Sequence, residues 1–164
     1  MLKFLTFRLL VGGFVTVYAP YSILNSRLEP VLIHLSMLAF TGVLGMTVGI
    51  LIYLWCVWDF AFGSQGDAPT ILVGRGTYKF VRNPMYLSLV LILLGESLLF
   101  QSWRLLGYAA VFWVGVHLLV VLYEERVLAK KFGKLYVQYC HTVSRWIPRF
   151  YHPNPTREEH PRRR

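Results

Sequence analysis

The chain is poor in charge and in cysteine. Only 15% of its 164 residues are charged and 55% are hydrophobic, whereas soluble domains carry about a quarter of charged residues. This balance excludes a disordered chain and argues against a water-soluble enzyme. The two cysteines, Cys56 in an apolar run and Cys140 in a basic and polar one, form neither a disulfide framework nor a metal-binding pattern. We therefore expect no metal site.

Long apolar runs are abundant in this sequence. Four stretches, residues 9–24, 31–58, 85–100 and 105–123, approach the length of about 20 residues that crosses a bilayer. Because lipid offers no partner for backbone polar groups, each stretch is predicted to form a helix. The sequence therefore predicts an all-α integral membrane helical bundle of four spans, with five as the alternative.

Basic residues are distributed unevenly between the connections. The connections after the first and third runs hold only Arg27 and Arg104, and the other 15 of the 17 Lys and Arg residues lie before the first run, between residues 59 and 84, and after residue 123. The positive-inside rule places those three regions, with both termini, on the cytoplasmic side. Since topology accounts for the positive charge, we expect no nucleic-acid partner.

The chain is predicted to have three parts. Residues 1–58 form an N-terminal transmembrane hairpin, residues 59–150 form the core, and residues 151–164 are a disordered basic tail. The core contains a polar loop, two spans and an amphipathic C-terminal helix along the interface. The lysines of this helix are expected to meet anionic lipid headgroups. They are Lys130, Lys131 and Lys134.

Polar residues that could carry chemistry lie in two places. The segment 74–86 is polar, basic and aromatic at once, and Pro84 in it fits the start of the third span. Glu124 and Glu125 follow the fourth span. We expect Glu124 to be the ligand and Glu125 to cap the helix or face solvent. Together these groups would surround one pocket at the membrane surface.

Two motifs in this order carry a resemblance to a known family. The first comprises Leu72-Val73, Gly76, Tyr78 and Arg82-Asn83-Pro84-Met85-Tyr86. The second comprises Glu124-Glu125, Leu128, Phe132-Gly133, Tyr136, Tyr139, Val143 and Arg145-Trp146. Over about residues 59–150 the chain resembles the isoprenylcysteine carboxyl methyltransferase and phospholipid methyltransferase superfamily.

The resemblance implies an integral membrane enzyme that binds S-adenosylmethionine between its last two spans and the C-terminal segment. The cofactor-binding positions that it implies are Leu72, Val73, Tyr78, Arg82, Asn83, Pro84, Met85, Tyr86 and Glu124. Arg82 suits the carboxylate of the cofactor and is also a candidate catalytic residue. A tyrosine ring suits the sulfonium or the adenine, and Glu124 suits the ribose hydroxyls or the ammonium.

The methyl acceptor stays open at this point. Superfamily members that act on a prenylated cysteine carboxylate carry an arginine where this chain has Val120. The basic side chain expected to pair with that carboxylate is therefore replaced by an apolar one. The alternatives are a thiol or carboxylate on an isoprenoid, a phospholipid amine, or a small hydrophobic metabolite. Asn83 replaces the histidine of many members and is similar to bacterial-type ones, which suggests a bacterial inner membrane.

Two further polar residues lie inside predicted spans. His117 precedes Glu124 by seven residues, which in an α-helix places both on one face about 10 Å apart. It is a candidate catalytic base, and a packed neutral histidine is the alternative. Glu96 is a candidate for lining a substrate or proton path, and the alternatives are a hydrogen bond to a neighbouring helix or a position near the outer surface. A non-enzymatic membrane carrier or scaffold that uses Glu96 and His117 is the alternative function. The sequence does not predict the oligomeric state.

Overall fold

The computed structural model describes residues 12–25, 37–62 and 76–148. Within these ranges the chain is helical, and the only β contact is an isolated parallel bridge between Val81 and Ser144. The helices are α1 (Ala19–Asn25), α2 (Met37–Phe62), α3 (Pro84–Leu99), α4 (Trp103–Leu119), α5 (Glu125–Phe132) and α6 (Lys134–Thr142). The prediction of an all-α fold is confirmed.

Two of the described helical stretches are long and apolar enough to cross a membrane. They are Met37–Asp59 and Trp103–Phe132. The helix α3 is also apolar but has 16 residues, a length of about 24 Å. The structure thus supports a membrane protein, while the count of four or five spans stays a prediction. The first predicted run lies partly outside the described residues.

The helices α2 and α3 pack closely because glycines face each other across their contact. A Cβ on Gly42 would lie 2.7 Å from the carbonyl oxygen of Gly95, and a Cβ on Gly95 would lie 2.7 Å from the backbone nitrogen of Met46. Apolar side chains gain little from leaving lipid, so helices in a membrane associate through close packing of small residues. The opposite side of α2 exposes large apolar groups such as Phe40 and Trp55, as a lipid-facing surface would.

The helices α3 and α4 form a hairpin that determines where the polar groups meet. The side chain of Ser102 caps α4 by accepting a hydrogen bond from the backbone nitrogen of Leu105 at 3.4 Å. Leu93 on α3 and Leu105 on α4 are each 1% exposed and belong to the buried core. Because the connection is short, the start of α3 and the end of α4 lie at the same end of the molecule.

A π-helical turn, Val120–Glu124, joins α4 to α5. Each π-helical residue rotates the chain around the helix axis by a smaller angle than an α-helical residue does. Between His117 and Glu124 the side-chain directions therefore differ by about a quarter turn from those in a regular α-helix. The prediction that His117 and Glu124 share a face assumed α-helical spacing and is therefore wrong. Val120, at the start of the turn, is 1% exposed.

The glycine contact yields a test of the fold. We expect Gly95→Ala to destabilise the protein by about 1–3 kcal/mol, because the new methyl group would press on the backbone of α2. Gly107→Ala on α4 is the matched control, since a Cβ there meets nothing within 4 Å among the described residues. Thermal unfolding in detergent should show a lower Tm for Gly95→Ala alone. Equal Tm values for both variants would contradict the packing.

Candidate functional site

The two predicted motifs meet at one end of the α3–α4 hairpin. Pro84 begins α3, with Asn83 as its N-cap residue, and this places Tyr86 in the first turn. The Tyr86 hydroxyl donates a hydrogen bond to Glu124 Oε1 at 3.0 Å. Glu124 is the last residue of the π turn. The start of the third predicted span and the end of the fourth are thus in direct contact.

The carboxylate of Glu125 lies between two arginines. Arg82 Nη1 donates to Glu125 Oε1 at 3.0 Å, and Arg145 donates through Nε at 2.8 Å to Oε1 and through Nη2 at 2.7 Å to Oε2. The two-pronged contact with Arg145 is the strongest geometry for this pair. The expectation that Glu125 caps a helix or faces solvent is wrong. The helix continues through it from the π turn, and its side chain is only 19% exposed.

The contact with Glu125 also stabilises the charge of Arg145. The hydrogen bond to the Glu125 carboxylate raises the pKa of the Arg145 guanidinium above its ordinary value. Since the pKa is higher in the folded protein, this contribution to stability is complete below the ordinary arginine pKa and is lost only as the pH rises through the raised one. The ion pair therefore persists throughout the neutral range.

The C-terminal segment 143–148 packs back onto the first motif. The backbone nitrogen of Arg82 donates to the Ser144 carbonyl at 2.9 Å, and the Asn83 side-chain amide donates to the Arg145 carbonyl at 3.4 Å. Just before this segment, the Tyr139 hydroxyl donates to the Tyr78 carbonyl at 2.9 Å. Burial raises the pKa of the Tyr139 phenol, so it stays a protonated donor. These bonds attach the C-terminal region to the segment 78–83.

The sequence interpretation missed Asp59, at the end of α2. Its Oδ2 accepts hydrogen bonds from the Thr77 backbone nitrogen at 2.9 Å and from the Thr77 hydroxyl at 3.2 Å. Gly76 has φ of +63°, and a Cβ there would collide with the Asp59 carboxylate. Asp59 thus positions the turn that leads to Tyr78. A lone carboxylate at the end of an apolar run was the available signal.

His117 contacts an aromatic pair rather than the carboxylates. Trp146 Nε1 donates to His117 Nδ1 at 3.1 Å, and the ring centroids of Trp113 and Trp146 are 4.5 Å apart. Trp146 belongs to the C-terminal segment and directly follows Arg145. His117 is therefore connected to the site through that segment.

The remaining predicted residues lie in different places. Leu72 and Val73 are outside the described residues. Pro84 is buried and Met85 half-buried at the start of α3. Glu96 is 8% exposed and lies 12 residues further along α3, about 18 Å from Pro84, so it is not part of this site. Within the described ranges, no group of His, Cys, Asp and Glu could hold a metal ion.

The fold and the site together define a helical membrane protein with a polar site at one end of a helix hairpin. The C-terminal segment 143–148 packs over that site. The family model for phospholipid methyltransferases matches residues 33–135. The chain therefore belongs to the phospholipid methyltransferase family, which confirms the resemblance seen in its motifs and makes the protein a membrane methyltransferase. Searches of curated proteins and of solved structures return no significant match.

The position of Glu125 between two arginines gives a second test. We expect Glu125→Gln to destabilise the protein by about 1–3 kcal/mol, because the mostly buried Arg82 loses its anionic partner. Arg126→Gln, at an exposed neighbouring position, is the control because it also replaces a charged side chain by glutamine. Thermal unfolding in detergent should separate the two variants. A Glu125→Gln protein as stable as Arg126→Gln would contradict the role assigned to the carboxylate.

Proposed function

We propose that the protein transfers a methyl group from S-adenosylmethionine to a lipophilic acceptor delivered by the membrane. The observation that carries the proposal is the meeting of Arg82, Tyr86 and Glu124 at one end of the α3–α4 hairpin. The family supplies the activity class, and these side chains supply groups that complement the charged and polar parts of the methyl donor. Which atom of which acceptor receives the methyl group is a separate question.

The arginine of the first motif retains capacity for an anionic ligand. Arg82 Nη1 is occupied by Glu125, but its Nε is buried and has no hydrogen-bond partner among the described residues. A buried donor without a partner costs free energy. A carboxylate such as that of S-adenosylmethionine would remove this cost. The donor set of the site therefore fits the cofactor at its amino-acid end.

The carboxylate of the second motif suits the opposite charge. Glu124 accepts one hydrogen bond from Tyr86 at Oε1, and a carboxylate has capacity for about four. Its remaining lone pairs could accept from the ribose hydroxyls or from the ammonium of the cofactor. The Tyr86 and Tyr78 rings are the aromatic faces for adenine or sulfonium. We also assign Asn83, Pro84 and Met85, with Leu72 and Val73, to cofactor binding.

When bound, S-adenosylmethionine would supply a methyl group on a positively charged sulfur. The chain's own contribution is to align the two reactants and to keep water away while charge is neutralised. The C-terminal segment supports this role, since its backbone bonds to Arg82 and Asn83 hold it over the first motif. Arg82 acts in this scheme through binding and orientation.

The membrane setting determines the class of acceptor that we propose. An isoprenylcysteine carboxylate, a phospholipid amine and a small hydrophobic metabolite all reach a site at the bilayer surface. We assign this surface and both termini to the cytoplasmic side of a bacterial inner membrane, and the positive-inside distribution of the basic residues supports this assignment. The exposed lysines of α5 and α6 support contact with anionic lipid headgroups. They are Lys130, Lys131 and Lys134.

The alternative of a non-enzymatic carrier requires Glu96 and His117 to form one polar path. Glu96 lies three residues before Leu99, the end of α3, and thus close to the connection with α4. His117 lies 14 residues beyond Trp103, the start of α4, about 21 Å along its axis. The two groups therefore occupy different depths, and the geometry favours the methyltransferase.

Cofactor binding tests the proposed function directly. Calorimetric titration of the detergent-solubilised protein with S-adenosylhomocysteine should show binding. We expect Glu124→Gln and Tyr86→Phe each to weaken it about tenfold or more, because each loses a hydrogen bond to a charged group. Arg126→Gln and Tyr123→Phe are the matched controls, since both residues are exposed, and they should bind as the wild type does.

Two results would contradict the proposal. One is a wild-type protein that shows neither heat of binding nor a thermal shift with S-adenosylhomocysteine. The other is unchanged affinity in both site variants. Membranes incubated with radiolabelled S-adenosylmethionine and then fractionated would identify the acceptor from the lipid or metabolite fraction that gains label.

A further inference from the structure

Trp146 determines the protonation of one nitrogen of His117. An indole N–H can only donate a hydrogen bond, and Trp146 Nε1 lies 3.1 Å from His117 Nδ1. His117 Nδ1 must therefore present a lone pair and carry no hydrogen. A neutral imidazole has one N–H, so the hydrogen of His117 then lies on Nε2.

The position of Trp146 is itself determined by the site. Its ring packs on Trp113 with centroids 4.5 Å apart at an interplanar angle of 56°. Its backbone follows Arg145, whose side chain bonds Glu125 and whose carbonyl accepts from Asn83. The indole is therefore held from two sides, and its N–H has a defined direction toward α4.

The second ring nitrogen of His117, Nε2, is the one that remains for a ligand. The residue is half-buried, and within the described ranges the Nδ1 bond to Trp146 is the one hydrogen bond of its side chain. The two tryptophan rings beside it offer an apolar surface. An apolar acceptor that lies against these rings would bring its polar end toward an N–H donor.

We propose that Trp146 holds His117 in the tautomer with hydrogen on Nε2, so that His117 donates a hydrogen bond to the methyl acceptor and does not serve as its base. The donor role rests on the proposed function, whereas the tautomer does not. With Nδ1 occupied and Nε2 protonated, neutral His117 has no lone pair left for a proton.

This assignment restricts the chemical class of the methyl acceptor. The reacting end must offer a lone pair to His117 besides the one that attacks the methyl group, as an oxygen or a sulfur does, whereas an uncharged amine nitrogen has only one lone pair. A protonated amine would bring N–H against N–H and is disfavoured. Any proton that the acceptor loses goes to water, and Trp146 is a positioning residue that acts through His117.

Nuclear magnetic resonance tests the tautomer without cofactor. Protein labelled with ¹⁵N-histidine in detergent micelles gives long-range ¹H–¹⁵N spectra that distinguish the two neutral tautomers, and His117→Gln assigns the signal. We expect Nε2–H in the wild type and a mixture of tautomers in Trp146→Phe, which keeps an aromatic ring but lacks the donor. Trp103→Phe is the control, since Trp103 is 85% exposed. A wild-type Nδ1–H form, or an identical spectrum in Trp146→Phe, would overturn the proposal.

Methyl transfer to the acceptor identified by labelling tests the donor role. We expect His117→Ala to lower kcat/KM about tenfold, the usual loss for one hydrogen bond. His117→Gln should stay within about threefold of the wild type, because its amide can donate from a similar position. Equal losses in both variants would overturn the donor role. A wild-type protein that does not bind S-adenosylhomocysteine would contradict the proposed function. The assignment of the tautomer would still be tested separately by the histidine spectrum.

Discussion

Glu125 lies between the guanidinium groups of Arg82 and Arg145, and the polar end of the molecule depends on this contact. Arg82 lies just before α3, Glu125 begins α5, and Arg145 belongs to the C-terminal segment. Two positive charges share the one negative charge of Glu125 here, and Glu124 supplies a second carboxylate at the same end of the hairpin, so the formal charges of these four side chains sum to zero. The contact therefore joins three segments of the chain without leaving a net charge at the site.

Two kinds of contact, in different parts of the molecule, hold its helices and segments together. The helices α2 and α3 hold together by glycine contacts that need no polar group. At the polar end of the α3–α4 hairpin, the segments hold together by ion pairs and hydrogen bonds. The glycine contacts fix α3 against α2, and the short connection between α3 and α4 brings Tyr86 within hydrogen-bond distance of Glu124.

Much of this was predictable from the sequence, for a physical reason. Long apolar runs must form helices in a bilayer. Pro84 follows a polar loop, and proline is favoured at the first position of a helix. The placement of Glu125 was not predictable, because its partner Arg145 is twenty residues away and depends on how the chain turns at Gly133, where φ is +53°. The divergence of His117 from Glu124 was equally hidden. Nothing in the apolar stretch 116–123 distinguishes a π turn from an α turn.

The π turn constrains how the sequence of this chain can vary in evolution. It accommodates one extra residue without moving the helices on either side. A deletion within Val120–Glu124 would convert the turn to regular α-helix and carry both glutamates away from their partners. Apolar replacements in the same stretch would keep the backbone path. Natural variation at residues 120–123 should therefore be free among apolar side chains and strict in the number of residues.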